Sequence, residues 1–163
     1  MTTNDFERSL RTLLSELSYG SAPAGAYVLN PGDAGLLAAL DALSAADASA
    51  SRDGGATIAG HAEHLRYGLS LMNRWAAGEN PFTDADWTIA WRTREVTEEQ
   101  WADLRRRLRE TIDSWHSALA FPREIAGVEL DGVMASVVHM AYHLGAIRQI
   151  HAGTRGPAAT ASA

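Results

Sequence analysis

The sequence predicts an all-α protein: a bundle of four helices with one short extra helix and long connecting loops. Three observations carry this. Four long segments repeat apolar residues at helical spacing. No segment alternates apolar and polar residues as a half-buried strand would. Cap residues and glycines punctuate the chain where those segments should start and stop.

The first helix is read over residues 4–18. Asn4 or Asp5 caps it, and Phe6, Leu10, Leu13, Leu14 and Leu17 form its stripe. A loop rich in Gly, Ala and Pro follows, to about Gly32. Asp33 then looks like the cap of a shorter helix, GLLAALDALSA. SRDGG at 51–55 is a turn. Thr57 caps the second long helix, IAGHAEHLRYGLSLMNRWAAG, which Gly78 closes. Residues 79–95 show no clean period and read as an ordered loop with one turn of structure, carrying Trp87 and Trp91. Thr97 and Gln100 fit a capping box. They open the third long helix, striped by Trp101, Leu104, Leu108, Ile112, Trp115 and Leu119 and ended by Pro122. Gly132 precedes the last helix, which stops at Gly153. With no repeat and no linker, residues 1–153 read as one domain, and 154–163 as a flexible tail.

Composition narrows the function. At 46% hydrophobic and 21% charged, the chain is globular rather than disordered. No apolar run approaches the ~18 residues needed to span a bilayer. The start, MTTNDFERSL, has early acids and no apolar h-region, so a cytoplasmic protein is expected, with no membrane partner. The net charge of -6 disfavours nucleic-acid binding. Arg105, Arg106, Arg107 and Arg109 cluster, but Glu95, Glu98, Glu99, Asp103 and Glu110 surround them, as on a solvated helix face. The absence of cysteine removes disulfides, thiolate ligands and a protein thiol nucleophile. Any metal must be held by His, Asp or Glu, and any thiol must arrive with the substrate.

Six histidines remain to be explained. His116 lies off its helix's apolar stripe, and His151 sits at a helix C-terminus, where a cation suits the dipole. His139 and His143 are four apart on the last helix, about 40° apart on one apolar face. Such a pair can hold one ion from one side, or it can be two partly buried imidazoles bonded to neighbours. The second long helix carries its own pair, His61 and His64, about 60° apart by the same projection. Bundle sites draw their ligands from facing helices. Two histidine pairs on two apolar faces are therefore unusual as packing, because each buried ring nitrogen needs a partner. His61 lies nearer the middle of the apolar arc, so these residues alone leave either His61 or His64 as the third ligand. A substrate with anionic groups would need Arg or Lys near the pocket. Arg148 falls outside the histidine arc. Tyr27, Tyr67, Tyr142, Trp87 and Trp91 are candidates to shape a pocket, with core or rim packing the favoured reading.

Three stretches, GHAEHLRYGLSLMNRW, DWTIAWRTREVTEEQWADLRRRL and HMAYHLGAIRQI, together resemble the DinB-like (DinB/YfiT) superfamily of metal-binding four-helix bundles. The resemblance covers roughly residues 4–152. It implies a DinB-like bundle with a divalent ion, most often zinc or nickel, on three histidines. By motif match these are His139 and His143, with His64 supplied by the His-Leu pattern of the second helix; His61 would then line the pocket or support a ligand. It further implies a metal-dependent enzyme of the thiol-transferase type. In such an enzyme the ion activates a low-molecular-weight thiol, as bacillithiol or mycothiol, or water, toward a small-molecule substrate. The alternative is a binding bundle without turnover. A homodimer is also implied.

Overall fold

A computed structural model describes residues 3–23, 25–120, 125 and 127–154. Helix α1 spans Thr3–Tyr19, α2 Leu36–Asp41, α3 Ala45–Ser49, α4 Ile58–Ala76, α5 Glu98–Ala118 and α6 Val128–Ile150. Two 3-10 turns, Ala90–Arg92 and Ala152–Thr154, complete the secondary structure, and no strand occurs among the described residues. Helices α1, α4, α5 and α6 form the bundle. α4 packs on α5 and α6, and α1 on α6 and α5. No described helix is long and apolar enough to cross a membrane.

The predicted stripes form the core. Leu10, Leu14 and Leu17 of α1 are buried against Leu65 and Leu69 of α4, the Trp101-to-Trp115 stripe of α5, and Met140, Leu144 and Ile147 of α6 within one cluster. The two core indoles find partners, as buried Trp N–H groups must. Trp101 Nε1 donates to Leu43 O at 2.8 Å, and Trp115 Nε1 donates to Ser136 Oγ at 3.0 Å. Thr97 and Gln100 form the capping box that opens α5. Thr57 accepts the Gly60 N–H at the start of α4. The arginines of α5 face water in ion pairs: Arg105 and Arg109 with Asp41, and Arg106 and Arg107 with Asp103.

Five boundaries differ from the sequence reading. Helix α1 begins at Thr3, so Asn4 and Asp5 lie inside its first turn rather than capping it. The short extra helix is two helices, because Ser44 and Asp47 form a second capping box that restarts the chain at Ala45. Asp33 does not cap α2; its N-cap is Gly35, with no side-chain bond. The main chain crosses Gly20 there so closely that a Cβ on Gly35 would lie 2.4 Å from Gly20 N. Asp33 instead takes hydrogen bonds from Asn30 and from Arg148 of α6. α6 starts at Val128, a turn before Gly132, behind a left-handed Gly127 (φ 56°) and with Glu129 and Asp131 suited to its N-terminal dipole. Its other end is Ile150, and Thr154, assigned by sequence to the tail, is buried with its hydroxyl donating to His151 O. The rest of the tail and Pro122 lie outside the described residues.

Glu16 organises the α1–α2 loop. It is 7% exposed, and its carboxylate accepts the backbone N–H groups of Tyr27, Val28 and Leu29. Burial pushes its pKa up, but these three donors outweigh it and hold it below the usual carboxylate range.

Candidate metal centre

Helices α4 and α6 bring four imidazoles together. His61 and His64 come from the first two turns of α4, His139 and His143 from the middle of α6. His61, His64 and His143 are 8%, 7% and 1% exposed; His139 is half-buried. One nitrogen from each of His64, His139 and His143 can be chosen so that all three lie within 4.8 Å of one another. No other group of three or more His, Asp or Glu side chains among the described residues converges this way. His116 and His151 stand apart. His116 is half-buried on α5, and His151 Nε2 lies 3.5 Å from Asp47.

The ring contacts constrain the protons. His143 Nδ1 lies 2.8 Å from His61 Nδ1, and His143 Nε2 lies 2.8 Å from His139 Nε2. A neutral imidazole has one N–H and one lone pair, so each contact needs one proton or a cation. With its proton on Nδ1, His143 donates to His61 and leaves its Nε2 lone pair facing His139. A hydrogen on His139 Nε2 satisfies that contact; so would a cation shared by the two nitrogens. His64 adds a buried Nδ1 with no hydrogen-bond partner among the described residues. Three neutral imidazoles that converge, one carrying a buried nitrogen without a hydrogen-bond partner, suit a divalent ion of the imidazole-binding class. His61 fits as the acceptor that holds the His143 ring in place.

Burial keeps the rings neutral. Loss of hydration, then the neighbouring His139 and His61, push His64 down to about 4. The same causes, with His64 added, push His143 down to about 3. Burial alone lowers His61 and His139. Neutral imidazole is the ligating form.

The loop between α4 and α5 covers the cluster. Trp91 stacks on His64 with ring centroids 4.3 Å apart and meets His61 edge-on at 5.4 Å. Trp87 lies 5.7 Å from His64. Two glycines of α4 admit this loop. A Cβ on Gly60 would approach Thr93 O to 3.0 Å, and one on Gly68 would approach the Trp87 ring to 3.3 Å. Tyr67 anchors the loop by accepting the Asp86 N–H at 3.0 Å, and Asp86 in turn accepts from Thr88. Beside His64 and His139, between α4 and α6, opens a groove of about 480 Å³.

A family model of the DinB superfamily matches residues 33–147. The chain belongs to the DinB superfamily. The match includes all four clustered histidines and leaves out α1. No curated protein and no solved structure matches the chain.

Within this DinB-superfamily bundle, the sequence reading located the histidines but not their surroundings. Trp87 and Trp91, read as packing, touch the cluster directly. Phe82, Gly68 and Gly132 line the groove and went unnoticed. Gly68 is four residues beyond His64 and Gly132 seven before His139, so helical spacing was the available signal. Tyr27 lies far from the cluster, at a cavity beside α1. Arg148 is directed to Asp33 and Ala34 O, away from the histidine face as its spacing implied.

The lowered histidine pKa values have a consequence for folding. The unfolded chain binds protons near pH 6.5 that the folded rings refuse until about 4 or 3. Stability is therefore full above pH 6.5 and falls as pH drops below it, by up to about 1.4 kcal/mol per unit for each ring. Urea denaturation of chelator-treated protein at pH 7, 5.5 and 4.5 should show this decline, with a shallower slope in His143→Leu. Equal slopes would mean that His143 is not held neutral.

Proposed function

We propose that the chain is a divalent-metal-dependent enzyme of the thiol-transferase type, with His64, His139 and His143 as ligands. The observation behind it is the convergence of three neutral imidazoles beside an accessible groove. The ion would be zinc or nickel. Bound there, it would acidify a low-molecular-weight thiol or a water molecule and so supply a nucleophile near neutral pH.

The chain's own residues do the rest. His143 is held by His61 through Nδ1, which leaves its Nε2 lone pair for ligation. Trp91 fixes the His64 plane by stacking and excludes water from one side of the cluster. Three protein ligands leave open positions, the arrangement of catalytic rather than structural sites. The second reading, a metal or small-ligand binding bundle without turnover, draws support from the groove lining. No carboxylate lies there among the described residues, and the Ser136 hydroxyl is committed to Val133 O.

Protein purified without a histidine tag should hold about one ion per chain by elemental analysis, as a three-histidine site predicts. It should consume thiol with an electrophile from a mixed panel only when loaded. His139→Ala should lose both ion and turnover. His61→Ala should keep the ion with affinity weakened roughly 10–100-fold in chelator competition. Loss of stoichiometry in His61→Ala would make it a ligand. An ion without turnover would favour the binding module.

The proposal includes a homodimer through α6. Met134, Val138 and Tyr142 are 45%, 66% and 68% exposed on one face of that helix, with Ala135 and Gly145 beside them. Light scattering should give twice the chain mass for the wild type and the monomer mass for Val138→Glu. A monomeric wild type would contradict it.

A further inference from the structure

The groove beside the histidines has a chemical character that the metal reading does not specify. Its volume, about 480 Å³, lies within the range of about 300–1,000 Å³ typical of small-molecule sites. Leu69 and Met72 of α4 form one wall, and Phe82 and Trp87 of the covering loop form the rim. Those rings are 45% and 42% exposed, large apolar surfaces left at the mouth. The α6 wall carries small side chains, and a Cβ built on Gly132 would meet nothing within 4 Å, so open space lies there.

Among the described residues, no Asp, Glu, Lys or Arg lines the groove. Its polar side chains are His64 and His139 at one end and Ser136. The Ser136 hydroxyl donates to Val133 O and accepts from Trp115 Nε1. A charged ligand would give up hydration there and find no countercharge among the described residues, only neutral imidazoles at one end. Charge is available elsewhere: a cavity of about 520 Å³ beside α1 is lined by Glu7, Arg8 and Arg11, but it shares no residue with the histidine cluster.

We propose that this groove binds the uncharged, apolar part of a small-molecule substrate and presents it to His64 and His139. The proposal rests on the metal-centre reading only for which end of the ligand reacts; binding in the groove does not require the ion. Selection is against carboxylates and phosphates, and for a flat or branched hydrocarbon body that slides between the Trp87 and Phe82 rings and Met72.

The test uses the full chain, both as purified with its metal counted and after chelation. N-phenyl-1-naphthylamine, an uncharged fluorophore, is the probe. 2-Naphthalenemethanol and 2-naphthoate, alike in shape but differing in charge, are the competitors. The expected result is saturable probe binding in both forms. In the chelated form the alcohol should displace the probe at a concentration at least about tenfold below that of the carboxylate. Gly132→Leu, which fills the open space and favours helix, should weaken probe binding at least about tenfold while the metal count stays at the wild-type value. Phe82→Ala, on the exposed loop, gives a second reading of the same groove from its rim and should also weaken binding. Equal or tighter binding of 2-naphthoate overturns the proposal, as does unchanged probe binding in both variants. A chain without metal that still prefers the alcohol would remove the metal centre and leave the groove assignment standing. A metal-loaded chain without that preference would do the reverse.

Discussion

Two neutral imidazoles cannot meet nitrogen to nitrogen at 2.8 Å unless a proton or a cation stands between them. His143 makes two such contacts with one N–H of its own, so the states of His61, His139 and His143 are tied together. Burial removes the simplest alternative, protonation, by driving His143 to about 3. The cluster then has few satisfied states. In one, a chain of hydrogen bonds runs from His139 through His143 to His61, and the buried Nδ1 of His64 is left over at a cost of about 1–3 kcal/mol. In another, three lone pairs turn to a shared cation. The surrounding structure serves this constraint. α4 and α6 supply two rings each, and the covering loop brings Trp91 flat onto His64.

Much of this was legible in the sequence, and the reasons differ from element to element. The long helices were visible because their apolar stripes and caps agree, as at Thr97 and Gln100. The histidine pairs were visible because a helix converts i, i+3 and i, i+4 spacing into a shared face. The choice between His61 and His64 was not legible from that spacing. Projected angles do not say which ring reaches an inter-helix centre and which reaches another ring. The Ser44 break, the Gly35 cap and the early start of α6 at Val128 were missed for different reasons. The Gly35 cap and the α6 start depend on a close main-chain crossing and a left-handed glycine, of which apolar periodicity carries no trace. The Ser44 break was written as the capping box of Ser44 and Asp47, inside a run of Leu and Ala that reads as one helix.

The loop between α4 and α5 was the largest gap. Its tryptophans follow no helical period, so the sequence offered them as pocket-shaping residues but favoured packing. The structure explains their placement through the partner helix: Gly60 and Gly68 lack the Cβ atoms that would keep the loop away. One wall of the site is thus encoded on α4, as absences, and the other on the loop, as rings. The same arrangement leaves an apolar groove ending at two imidazoles, with no charged side chain among its described lining residues. On the proposed reading, metal binding at one end and hydrocarbon recognition along the groove meet at His64 and His139, which belong to both.

The central claim is that His64, His139 and His143 share one ion. X-ray absorption at the zinc edge of zinc-loaded protein tests it most directly. The account predicts nitrogen donors at about 2.0–2.1 Å, with the outer-shell scattering of three imidazoles, and one imidazole fewer in His64→Ala. A shell of oxygen donors alone, or a spectrum unchanged by that substitution, would contradict it.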